Sequence, residues 1–149
     1  MEKTMRLKSQ RGGAAVEFGL VLPLLALILF GIIEFALLFY NKQVITNASR
    51  EGARYGIVMA DPSMTAGQIS TVVSNYCNNY LIGFPKATPA ITSTVCPDPP
   101  RGMFGTNEVT VTVSYNYNFL AFPNLLALLG SESMSGPMIL TASTVMKCE

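Results

Sequence analysis

FGLVLPLLALILFGIIEFALLFY, Phe18–Tyr40, is the stretch that decides the fold. It carries a single charged residue, Glu34, and its first sixteen residues, Phe18–Ile33, carry none. About 20 mostly apolar residues cross a bilayer as a helix. A core helix of a water-soluble domain is usually shorter and keeps a polar face. This stretch is apolar on every face, so it predicts a membrane-spanning helix. A cleaved secretory signal would have an apolar run of about 7–15 residues and a small-residue cleavage site. The run here is longer and ends in Phe39-Tyr40-Asn41-Lys42-Gln43.

The flanks set an orientation. Lys3, Arg6, Lys8 and Arg11 precede the span against Glu2 alone. Positive residues are retained on the cytoplasmic side, so the N-terminus is expected inside and everything beyond about Tyr40 outside. Two acids bracket the span. Glu17 and Glu34 stand about 25 Å apart along a helix, close to the ~30 Å hydrocarbon thickness. Glu34 is therefore expected near the outer interface, as a second membrane acid. Glu17 is either an interfacial acid among headgroups or the partner of a cation from another chain, since a carboxylate at mid-bilayer costs at least about 2.5–3.5 kcal/mol. Pro23 is expected to kink or loosen the helix, because it removes a backbone donor and crowds the preceding turn.

Composition narrows the function classes. Of 149 residues, 50% are hydrophobic and 13% charged, against about 25% charged in ordinary soluble domains. The length suits one external domain. There is no His, so the commonest general base and metal ligand is missing. No base stands ready to activate a Ser or Thr, no phosphate-binding glycine loop occurs, and the cysteine spacing does not suit zinc. Asp98 and Glu108 lack clustered companions for calcium. A net charge of +1 gives no footprint for nucleic acid. The chain reads as a non-enzymatic subunit without metal or cofactor. From Tyr55 to Met146 only Asp61, Lys86, Asp98, Arg101, Glu108 and Glu132 are charged, which suits a subunit packed among others.

The N-terminal motifs resemble a known family. Ala15–Phe18 (AVEF), Val21–Leu25 (VLPLL), Ile32–Phe35 (IIEF) and Thr46–Gly56 (TNASREGARYG) look like the N-terminal segment of TadE-like pseudopilins of the Flp, or tight-adherence, branch of type IV pilus systems. The likeness is close over residues 11–56 and weaker over Leu140–Glu149. It implies a basic leader removed after Gly12 by a membrane-embedded prepilin peptidase. Glu17 and Phe18 would then be the fifth and sixth residues of the mature chain. Cleavage after Gly13 would make Glu17 the fourth, and the Gly12-Gly13 pair leaves that register open. In related pilins the acid pairs with the freed amine of a neighbouring subunit. The resemblance thus implies other pilin or pseudopilin subunits, the peptidase, inner-membrane assembly machinery and the bilayer as partners. It favours TadE over its partner TadF. The alternative is an unprocessed single-pass anchor carrying an external accessory or binding module.

The remainder reads as an α+β domain. The divisions expected are a leader at 1–12, a long helix at 13–58 and an external domain at 59–149. Val44, Ala48, Gly52, Tyr55 and Met59 form one helical stripe beyond the span, and Asp61-Pro62 is expected to end it. Thr65 and Gln68 predict a capping box for a second helix with Ile69, Val72, Val73, Tyr76, Cys77, Tyr80 and Leu81 on its apolar face. Ala90–Val95, Glu108–Phe119 and Met138–Cys148 are expected strands; the second alternates without a break. Three antiparallel strands on two helices follow. The apolar loop Phe119–Gly130 is expected to be buried or to touch a partner. In an oxidising compartment, Cys77 and Cys96 are the expected disulfide, with Cys148 free or paired between chains; three unpaired thiols are the alternative.

Overall fold

The computed structural model describes residues 10–58, 64–96, 107–121, 124, 127 and 136–148. Residues 1–9 of the expected leader, Met59 of the expected stripe, Asp61-Pro62, Asp98 and most of Phe119–Gly130 lie outside these.

The first helix, α1, runs from Gln10 to Gly56. At 1.5 Å per residue it is about 70 Å long. It continues through Pro23, and it ends two residues before the expected Val58. Burial along it divides the helix in two. From Gly12 to Phe30 no residue is buried. From there a buried stripe repeats every three to four residues: Gly31, Glu34, Leu38, Asn41, Ile45, Ala48, Ser49, Gly52, Ala53 and Gly56. That period is one face of an α-helix, and it lies against the domain.

The second helix, α2, spans Ala66–Tyr80. Its capping box forms as the sequence predicts: Gln68 N–H donates to Thr65 Oγ1 at 3.3 Å, and Thr65 N–H donates to Gln68 Oε1 at 2.9 Å. Ile69, Val73 and Cys77 are its buried residues. The strands are β1 (Ala90–Ser93), β2 (Glu108–Tyr117) and β3 (Met138–Lys147). They form one antiparallel sheet in the order β1-β2-β3. Along β2, Val109, Val111, Val113, Tyr115 and Tyr117 are all buried. The alternate residues Thr110, Thr112, Ser114 and Asn116 occupy the outer face, where Thr112 and Ser143 share a hydroxyl hydrogen bond of 3.0 Å. The architecture is α+β: two helices cover one face of a three-stranded sheet.

Close approaches fix the directions of the elements. A Cβ at Gly56 would stand 2.8 Å from Ile69 Cδ1 and 3.0 Å from Val109 Cγ1, and one at Gly52 would collide with Val73. At the other end Asn41 meets Ile82 and Glu34 meets Tyr117. Hence α2 and β2 run antiparallel to α1. Ser49 bonds Thr144 at 2.7 Å, and Lys42 donates to the Thr141 carbonyl, so β3 runs with α1. The domain has a proximal end, at Glu34, Asn41, Ile82 and Tyr117, next to the bare helix. Its distal end holds Gly56, Ile69 and Val109.

The disulfide is Cys96–Cys148, with Cα atoms 6.0 Å apart, and Cys77 is a buried free thiol. This corrects the expected Cys77–Cys96 pair. Cys77 lies two turns along α2 from Ile69, about 12 Å from the distal end. Cys96 belongs to that distal end, with its Sγ 3.7 Å from the Gly56 carbonyl oxygen. A disulfide needs Cα atoms within about 7 Å, and the second helix carries Cys77 out of range.

Candidate functional site: the bare helix and its junction with the domain

The bare segment Gly12–Phe30 is 19 residues of helix, about 28 Å. Apart from Glu17 its side chains are apolar, and none is buried; Val16, Phe18, Leu20, Leu24 and Leu25 are each more than half exposed. This is the one helix among the described residues long and apolar enough to cross a membrane. Gly12 and Gly13 lie in its first turns with open space where side chains would be. Glu17 is exposed, and no described residue reaches it with a hydrogen bond or ion pair. Phe18 follows it, and Pro23 is half-buried a turn and a half further on. The structure therefore places Gly12, Gly13, Glu17, Phe18 and Pro23 on one exposed helical segment. Among the described residues, none of them belongs to the buried core of the domain.

Glu34 is different. It is only 2% exposed, although it lies four residues past the bare segment. Its Oε1 accepts the Leu120 N–H at 2.5 Å and the Tyr117 hydroxyl at 3.2 Å, and its Oε2 accepts the Ala121 N–H at 3.3 Å. Three donors compensate a carboxylate removed from water. Burial, and then the charge and hydrogen bond of Glu34, push the Tyr117 hydroxyl well above the usual tyrosine range. The phenol thus stays protonated and keeps donating. Two turns along the same stripe, fully buried Asn41 donates to the Ile82 carbonyl at 2.6 Å and accepts the Ile82 N–H at 2.9 Å. The segment after β2 and the segment after α2 are both fastened to α1 by side chains on its buried stripe.

Sequence reading located Glu34 at the outer boundary of the span but not its partners, and it passed over Asn41. The signal was present: Gly31, Glu34, Leu38 and Asn41 keep helical spacing, so two polar residues share the face that must meet the domain. Among the described residues no three His, Cys, Asp or Glu side chains gather as a metal site would need.

Residues 12–54 match the family model described as TadE-like protein. This segment is TadE-like. The match starts at Gly12 and runs through the bare helix, Glu34, Asn41 and most of the buried stripe. The TadE-like segment thus contains the apolar helix and the face of it that holds the domain. TadE-like proteins are pilus-associated structural proteins of the Tad/Flp system, and the long apolar helix fits a single-pass membrane anchor for such a protein. No match arises with the curated proteins or with the solved structures.

Proposed function

We propose that the chain is a pseudopilin, or minor pilin, of the TadE type. In this reading, residues 1–12 are a leader, residues 13–58 the helix that anchors and assembles, and residues 59–149 the external domain. A prepilin peptidase cuts after Gly12, and the product joins other pilin or pseudopilin subunits through inner-membrane assembly machinery to take part in building an Flp-type pilus.

The observation that carries the proposal is the bare helix with Glu17 near its start. Among the described residues nothing buries its apolar surface, and none pairs with its acid. A lipid environment satisfies the apolar side chains. A freed α-amine from a neighbouring subunit would satisfy the acid, because opposite charges relieve each other's burial. The cut site suits the same purpose: two consecutive glycines each weaken a helix by about 1 kcal/mol relative to Ala, so the first turn can open for a protease. The basic residues before the span support an N-in topology. The Cys96–Cys148 disulfide supports a domain outside the cytoplasm, where disulfides persist.

N-terminal sequencing of the chain from cells that contain the peptidase tests this reading. A new terminus at Gly13 is expected. An intact Met1 would leave the unprocessed anchor with an external accessory or binding domain. Glu17→Ala is expected to insert in the membrane and fail to assemble; normal assembly would reduce Glu17 to an interfacial acid.

A further inference from the structure

The bare segment is shorter than the membrane it would cross. From Gly13 to Phe30 is about 27 Å of helix, and the wholly uncharged part, Phe18–Phe30, is about 20 Å. The hydrocarbon core is ~30 Å thick. Whichever group sits at the inner face, the apolar layer overruns Phe30 by roughly 3–10 Å and reaches the level where the domain begins.

The described surface at that level is largely apolar, with the exposed amides of Asn78, Asn79 and Asn116 among its apolar side chains. On α1, Ile32, Ile33, Phe39 and Tyr40 are exposed beside the domain. Beyond α1, exposed large apolar side chains among the described residues gather at the proximal end: Tyr80, Ile82, Phe84, Leu120, Met138 and Ile139, with Val58, Val95 and Val145 elsewhere. The acid at this level, Glu34, is turned inward and covered by Leu120 and Ala121. The next described charges are cations, Lys42 and Lys86, which bond the Thr141 and Asn78 carbonyls above this rim. Lys and Tyr at such a height are the residues that lie among headgroups.

We propose that the proximal end of the domain is seated in the outer interfacial layer of the bilayer, with Leu120, Ile82 and Phe84 as its lipid contacts. It adjoins the exposed apolar residues of α1 beside the domain. The burial of Glu34 is what makes this possible, since an exposed carboxylate there would hold the domain off the apolar layer. The inference rests on α1 being a membrane anchor and does not require assembly into a fibre.

The chain contains no Trp, so single tryptophans report without background. Leu120→Trp, Phe84→Trp, Leu25→Trp and Val145→Trp replace exposed side chains. Each full chain is reconstituted into phosphatidylcholine–phosphatidylglycerol vesicles containing lipids brominated at defined acyl positions. Leu120→Trp and Phe84→Trp are expected to emit to the blue of Val145→Trp and to be quenched most by bromine near the headgroup. Leu25→Trp should be quenched most by deep bromine, and Val145→Trp by none. If Leu120→Trp and Phe84→Trp behave like Val145→Trp while Leu25→Trp is quenched, the seated domain is overturned and the anchor stands. An unquenched Leu25→Trp overturns the anchor and this inference together.

Discussion

Asn41 pairs with Ile82 through both of the latter's main-chain polar groups, as a neighbouring strand would. One side chain on α1 thereby completes the hydrogen bonding of the segment that leaves α2. The pair spans 41 positions of sequence, so it closes the domain at its proximal end.

Asn41→Leu removes both bonds while keeping the side chain's bulk. Ile82 is partly exposed, so water recovers some of the loss. The expected cost is about 2 kcal/mol, read as an earlier denaturant midpoint for the detergent-solubilised chain. An unchanged midpoint would mean that the pair is incidental.

Glu34→Gln replaces an acceptor of three hydrogen bonds by an amide whose NH₂ faces a backbone N–H. At least one donor of Leu120 or Ala121 loses its acceptor. A loss of about 1–3 kcal/mol is expected, with faster proteolysis after β2. Tyr117→Phe, which deletes a single donor, should cost less than Glu34→Gln.

Gly52→Ala and Gly56→Ala test the close approach of α1 to α2 and β2. On an isolated helix Ala would gain about 1 kcal/mol over Gly. Here the new methyl meets Val73 or Ile69 and Val109 at less than contact distance, and overpacking costs about 1–3 kcal/mol. Net destabilisation is expected at both sites, larger at Gly52. Gly19→Ala, with open space around it, should not destabilise the domain.

The cysteines give a chemical and a pH prediction. Non-reducing mass spectrometry should find Cys96 linked to Cys148 and Cys77 free. A 52-residue separation gives a loop-closure estimate of about 4 kcal/mol for the bridge, so Cys148→Ser should lower stability by up to that amount. Burial pushes the Cys77 thiol up to about 11, and Lys86 opposes this in part. The native thiol therefore holds its proton above the pH at which the unfolded one, near 9.0, gives it up. Stability from this group is complete below about pH 9 and declines until about pH 11. Alkylation of Cys77 should be slow in the folded chain, and Cys77→Ala should remove this part of the alkaline decline.

The long apolar helix, the second helix and its cap, and all three strands were legible in the sequence because each rests on a local pattern. Phe18–Tyr40 has the length of a span, Thr65 and Gln68 the spacing of a cap, and Val109–Tyr117 the alternation of a strand. The disulfide was not legible in this way. Cys77 is nearer to Cys96 along the chain, but α2 runs back toward the bare helix and takes Cys77 with it, while β3 returns Cys148 to the distal end. The Glu34 cluster was half legible: the acid's position follows from counting, but Leu120 and Ala121 bind it through backbone amides that any residue would supply. Such partners depend on where β2 ends and leave no mark in residue identity.

The covalent bridge also bears on how the molecule responds to force. A chain drawn out of a bilayer by its N-terminal helix is loaded along the axis of α1. Since α2 and the strands lie along that axis, the tension acts on the Glu34 and Asn41 clasps and the glycine contacts together, in shear. β3 cannot be peeled away from the distal end, because Cys148 is tied to Cys96 across the start of β2. The domain should therefore travel with its helix as one mechanical piece.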